Sequence, residues 1–233
     1  MPINLDSSFS VYRLVERLRN KDTQLLQDRK TMNTISYEIE NATLVDGANT
    51  RIFAGFQKMS KFLPQIKRYT RIAQKAESVY VFGIMDVEVP EIPNIVYVPL
   101  EKHFQLSKEW FLVSFGKQFG SALATEELTN IDDPDEKREF RGVWTFDASM
   151  VAILDEWLNR NVDAQVALLT EDDINRKNQA MLISNIYNRM MKRIGTNTLT
   201  PASQPKSDTQ ERLKVVIKET LYPLAYSSKA IMS

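Results

Sequence analysis

Apolar positions recur at helical spacing through the first part of the chain. Val11, Leu14, Val15 and Leu18 form one set, and Met32, Ile35 and Ile39 form another. The spacing predicts helix from Ser8 to about Leu44. Asp46-Gly47 and Asn49 mark a turn. A further stripe of Phe62, Ile66, Tyr69, Ala73 and Ala76 predicts a helix over 60–76. Pro64 stands near its start, where a missing N–H is tolerated.

The pattern then shortens to strand length. Ser78–Ile84 (SVYVFGI), Ile95–Val98, Trp110–Phe115 and Arg141–Phe146 are rich in β-branched and aromatic residues. Ala122–Thr125, reached through Gly116 and Gly120, is expected as a hairpin partner, with helix as the alternative. Asp147 is placed to cap a helix running to about Leu158, with Phe146 and Val151 spaced for a hydrophobic staple. Ala164–Leu169 is ambiguous between strand and helix. Thr170, with Asp173 three residues on, opens a long helix over 171–194. Its apolar seam is Ile174, Met181, Leu182, Ile186, Met190 and Ile194, and Gly195 is expected to end it. Residues 196–210 read as a linker. A terminal helix follows, with Leu213, Val216, Ile217 and Leu221 on one face. The fold class is therefore α+β: a mixed, largely antiparallel sheet of about five strands covered by helices, with a long C-terminal helix.

Composition narrows the functional classes. Apolar residues make up 43% and charged residues 26% of 233, which fits a globular chain. There is no Cys, so thiolate zinc sites, cysteine nucleophiles and thioether-linked chromophores are excluded. A single His excludes any site needing two imidazoles. No uncharged apolar run reaches the ~18–20 residues of a bilayer span. The N-terminus lacks a basic start followed by an apolar stretch, so the protein is expected in the cytosol. Net charge is zero, yet residues 1–77 carry +5, 78–174 carry −12 and 175–233 carry +7. An acidic core with basic arms fits that distribution better than a uniformly basic nucleic-acid binder.

Candidate chemistry follows from residue types. Trp110, Trp144 and Phe146, with Glu109 beside them, are the candidate ligand-binding residues, because pockets favour aromatic walls with few polar groups. Core packing is the other role open to these rings. Lys67, Arg68 and Arg71 form a basic helix face, suited to an acidic partner or simply solvated. Met181 and Met190 suit adaptable packing, on the domain itself or on another chain. With Leu213, Val216, Ile217 and Leu221 they complete the candidate partner-binding set. His103 and the acidic run Asp132, Asp133, Asp135 and Glu136 lack the spacing of a catalytic or calcium site. No catalytic residue, metal site or particular cofactor is expected.

Five ordered blocks carry a family resemblance. They are Ile52–Gln57 ahead of a helix containing Arg68-Tyr69; Val81-Phe82-Gly83; the Pro-flanked strand Asn94–Leu100; Glu109–Val113; and Phe140–Asp147. Together with Phe9–Glu40, this set resembles the DICT sensory domain, named for diguanylate cyclases and two-component systems and common in cyanobacterial signalling proteins. The likeness covers about residues 8–160. Tyr37 stands where many members carry His after the Ser36 block. The resemblance implies sensing without catalysis, linked to light responses in some settings, and supplies no catalytic residue.

The expected organisation is a helical preface over 1–50, a sensory core over 51–160, a helical extension over 161–195, the linker, and a tail over 211–233. The expected function is a cytosolic sensory module that binds a ligand or protein and transmits through its helical extensions. The alternative is an adaptor with no small ligand. A signalling protein is the expected partner, with self-association through the long helix and no role for nucleic acid.

Overall fold

The computed structural model describes residues 5–18, 25–162, 164 and 166–198. Its elements in chain order are α1 (Val11–Leu18), β1 (Leu25–Asp28), α2 (Arg29–Leu44), β2 (Arg51–Lys58), α3 (Met59–Phe62), α4 (Ile66–Ala73), β3 (Ser78–Ile84), β4 (Ile95–Pro99), β5 (Glu109–Gly116), β6 (Phe119–Glu127), β7 (Glu139–Thr145), α5 (Ala148–Asn161) and α6 (Arg176–Thr198).

The sheet has seven strands in the order β1-β7-β6-β5-β2-β3-β4. β2, β3 and β4 run parallel to one another, and every other pairing is antiparallel. The expected α+β class and the mixed, largely antiparallel sheet stand. Two strands were not expected. β2 is central and buried on both faces, so it shows no alternation of apolar and polar residues. β1 interrupts the expected helix over 8–44 and pairs with β7.

Each face of the sheet is covered. Strand alternation sends Ile52, Ala54, Leu112, Leu123 and Trp144 to one face, beneath α2, α4 and α6. It sends Phe53, Phe82, Phe111, Val113 and Val143 to the other, beneath α1 and α5. α1 and α2 thus contribute to the two cores, although the sequence reads them as a preface.

Several local expectations are revised. Leu63–Gln65, which contains Pro64, forms a 3₁₀ turn and divides the expected 60–76 helix into α3 and α4. Asp147 does cap α5, accepting from the Met150 N–H at 3.0 Å. Phe146 and Val151 lie in opposite cores, so they form no staple. Thr170 and Asp173 make the reciprocal capping box, but it closes a 3₁₀ turn over Glu171–Asp173. α6 starts only at Arg176 and passes through Gly195, overrunning the expected start of the linker. The remainder of the linker and the terminal helix with Leu213, Val216, Ile217 and Leu221 lie outside the described residues.

A buried ion pair ties the layers together. Arg51, at the start of β2, donates Nη2 to Asp155 of α5 at 2.6 Å and Nε to its second oxygen at 3.1 Å. Both side chains are essentially inaccessible to solvent. The Arg51 Nη1 also reaches Glu77 and the Ala167 carbonyl.

Candidate functional site

α2 has two working faces. Asp28 caps it by accepting from the Thr31 N–H at 2.7 Å. Met32, Ile35 and Ile39 point into the core. Asn33, Ser36, Tyr37 and Glu40 share a neighbouring face, because residues three and four apart are stacked on a helix. That face roofs a cavity over β2 and β5, in which the small side chain of Ala54 leaves room. Leu112, Trp110 and Phe56 complete the floor, while Lys61, Gln65 and Tyr69 form a wall. Counted together with the open solvent at its mouth, the space between these residues comes to about 560 Å³, only a small part of it enclosed.

A bulge in β2 borders it. Gly55 pairs with Phe82 and Lys58 with Ile84, so β2 spends one extra residue there. Gln57 lies in this bulge with φ of 64°, a left-handed conformation costly for a side chain of its kind. Its amide is held on both ends. Arg138 donates to Gln57 Oε1 at 2.7 Å, and Gln57 Nε2 donates to Glu127 at 2.7 Å. Glu127 also pairs with Arg138 through both oxygens, at 2.7 and 2.9 Å. Bulges of this kind re-aim the strand beside a site.

The polar groups within the cavity are organised. Trp110 Nε1 donates to Ser36 Oγ at 3.2 Å. Tyr69 Oη donates to Glu40 Oε1 at 2.8 Å, and Arg68 pairs with the other oxygen. Burial pushes the Glu40 carboxyl above its usual range, against the pull of Arg68 and Tyr69. Burial and the neighbouring Glu40 raise the Tyr69 phenol well above its usual value. At the mouth, Arg29 and Lys61 approach Asp135 at 2.7 and 4.0 Å.

The residues singled out from sequence are dispersed. Trp110 lines the cavity. Trp144 and Phe146 lie on the same sheet face but outside the cavity, packed on each other, with the Trp144 indole bonded to Ser121. Glu109 points to the opposite face, since adjacent strand residues alternate. There it accepts from Ser10 Oγ at 2.5 Å and the Tyr12 N–H at 3.1 Å, and burial pushes its carboxyl up to about 7. Lys67 and Arg71 are exposed on α4. Arg68 is turned inward instead, bonded to Glu40, the Tyr37 carbonyl and Asn41, and stacked over the Tyr37 ring. Met190 is buried against the sheet with Leu182 and Ile186, whereas Met181 is exposed. His103 is exposed beside Glu101.

A family profile described as "Sensory domain in DIguanylate Cyclases and Two-component system" (DICT) matches residues 8–128, just over half of the chain. The chain belongs to the DICT family. No curated protein matches it. Among solved structures it is similar to a polyphosphate kinase from Porphyromonas gingivalis, with 14% identity and a TM-score of 0.39. That likeness covers 79% of this chain and 31% of the kinase chain, and is too slight to carry an argument.

The DICT match spans α1 through β6 and contains every cavity-lining residue except Arg138. Arg138, which holds the bulge, and β7, α5 and α6 lie beyond it. Sequence reasoning missed Arg29, Ser36, Tyr37, Glu40 and Gln57. A signal existed for three of these: Ser36, Tyr37 and Glu40 are polar positions bordering the apolar stripe of α2. Nothing in the sequence marks the bulge at Gln57. Among the described residues no helix is long and apolar enough to cross a membrane, and no cluster of His, Asp and Glu is arranged to hold a metal.

Proposed function

We propose that this DICT domain is a sensory module that takes a small ligand in the cavity beneath α2 and transmits the event through α6. One observation carries the reading: α2 belongs to both places. Its Asn33, Ser36, Tyr37 and Glu40 face the cavity, while Glu38, between them in sequence, is gripped by α6. A ligand that moved α2 would have to move or break that grip.

Trp110 is the ligand-facing aromatic residue in this reading, and the chain senses without turnover. Signalling partners follow from the family. A cytosolic setting rests on the sequence pattern alone, and a link to light on the family resemblance alone. The test is hydrogen exchange with and without ligands that raise the melting temperature. Binding to the folded state raises that temperature. Slowed or accelerated exchange in α6 is the expected outcome. Binding that alters α2 but leaves α6 untouched would overturn the transmission step.

The second reading is an adaptor without a small ligand. The exposed side chains of Met181, Tyr187 and Met191 on α6 favour it, as do Lys67 and Arg71 on α4. In that case no compound in a broad panel shifts the melting temperature, and replacing these side chains weakens partner capture.

A further inference from the structure

The mouth of the cavity carries a particular charge arrangement. Four charged side chains line the cavity: Arg29, Lys61, Arg138 and Glu40. Two of them are matched one to one by buried or half-buried partners, Arg138 by Glu127 and Glu40 by Arg68. The other two, Arg29 and Lys61, converge on a single carboxylate, that of Asp135. Asp135 belongs to the acidic loop between β6 and β7 and is half exposed. The Arg29 Nε–H is buried and meets no hydrogen-bond partner among the described residues. Two cations therefore share one exposed acid, and Arg29 keeps an unused donor.

The interior behind this mouth is aromatic. Trp110 is half-buried, with its indole fixed by Ser36, and Phe56, Tyr69 and Tyr37 surround the space. Such walls suit a flat ring, which stacks or packs edge-on against them.

We propose that the ligand is a planar aromatic anion, bearing a carboxylate or phosphate, whose charged group binds Arg29 and Lys61 in place of Asp135. The acidic loop then acts as a built-in competitor that sets affinity. This inference rests on the sensory-pocket reading above and adds the chemical class and the tuning device. A guanidinium matches either anion through paired N–H donors. Asp135 is a weak competitor because it is exposed, and exposed pairs contribute little net stability.

The experiment titrates two probe pairs by calorimetry: 2-naphthoate with 2-naphthamide, and AMP with adenosine. Each pair keeps the ring and changes the charge, and the two pairs separate carboxylate from phosphate. The anionic member of at least one pair is expected to bind more tightly. Asp135→Asn is expected to tighten it about fivefold, the factor corresponding to an ion pair at the top of the exposed range. Arg29→Gln is expected to abolish the preference for the anion. Asn33→Phe, which fills the mouth from α2, is expected to abolish binding while the melting temperature stays near that of the parent.

Equal affinity for both members of each pair, unaffected by Asp135→Asn, would overturn the anion assignment and leave the pocket reading standing. Binding that survives Asn33→Phe would place the ligand elsewhere and overturn it too. No binding by any of the four probes, even to the Asp135→Asn variant, would overturn the assignment, and the small-ligand reading would then be decided by the broad melting-temperature panel.

Discussion

Arg189 of α6 donates Nε to Glu38 of α2 at 2.5 Å, and Glu38 is wholly shielded from solvent. Arg193 approaches the other Glu38 oxygen at 2.7 Å, and Arg189 also holds Asp46 at 2.9 Å. A buried carboxylate is costly unless paired, so α6 supplies what α2 cannot satisfy alone. Replacing both arginines with Gln should destabilise the fold by about 3 kcal/mol, because Glu38 is left charged and buried. Glu38→Gln should cost less, since the arginines it releases can reach water. Urea unfolding of the three proteins checks the order. A smaller loss in the double arginine variant would mean that α6 is held by its apolar seam alone.

Glu109 predicts a pH dependence. Burial raises its carboxyl from 4.5 to about 7, the hydrogen bonds from Ser10, Tyr12 and Val11 oppose the rise, and the charge of nearby Glu126 adds to it. Glu126 is itself paired with Arg141. In the unfolded chain Glu109 ionises near its ordinary value, so between about pH 4.5 and 7 the folded state binds more protons. Its contribution is therefore fully present below that window and falls as pH rises through it. The change amounts to about 3 kcal/mol. Stability of the wild type relative to Glu109→Gln, measured from pH 4 to 8, should decline across this range. Because Gln cannot ionise, a flat difference would show that Glu109 titrates normally.

How much of this was legible beforehand depended on which physical rule governed each segment. α5 and its Asp147 cap were readable because capping chemistry is local. β3, β4, β5 and β7 were readable from β-branched and aromatic composition. β2 was not, since a central strand buried on both faces has no polar alternation to reveal it. Trp110 is legible as an aromatic strand residue, and strand alternation alone is enough to send its neighbour Glu109 to the other face. The arginines behaved least predictably. Arg68 sits on a helix face that looks solvated, yet it turns toward Glu40, a partner 28 residues away on another helix. Long-range pairing of that kind leaves no periodic trace in a single sequence.

Gly55 predicts a steric limit beside the cavity. A Cβ there would stand 2.3 Å from the Phe111 ring, which lies across it on the far side of the sheet. Gly55→Ala should cost about 1–3 kcal/mol, the usual range for overpacking a filled core. Adding Phe111→Leu should recover part of that loss, because the clash is with the ring and not with the backbone. Chemical denaturation of the single and double variants tests this. If the second substitution only deepened the loss, strain in the β2 backbone would be the cause instead.

Trp110 offers a direct optical report of the cavity. The chain has three tryptophans. Trp144 is sealed in the core and bonded to Ser121, and Trp157 packs with Phe9 on the opposite face of the sheet. Trp110 alone among them lines the cavity, so an aromatic ligand entering beneath α2 should quench its emission by contact with the indole. Trp110→Phe should lower the starting fluorescence and remove the ligand-dependent change, while a calorimetric signal of binding persists. Ser36→Ala should shift the Trp110 emission as well, because it deletes the acceptor of the indole N–H at 3.2 Å. If the quench survived in Trp110→Phe, the ligand would be acting on Trp144 or Trp157. Its site would then lie outside the space roofed by α2, and the link from ligand to Glu38 and α6 would lose its physical basis.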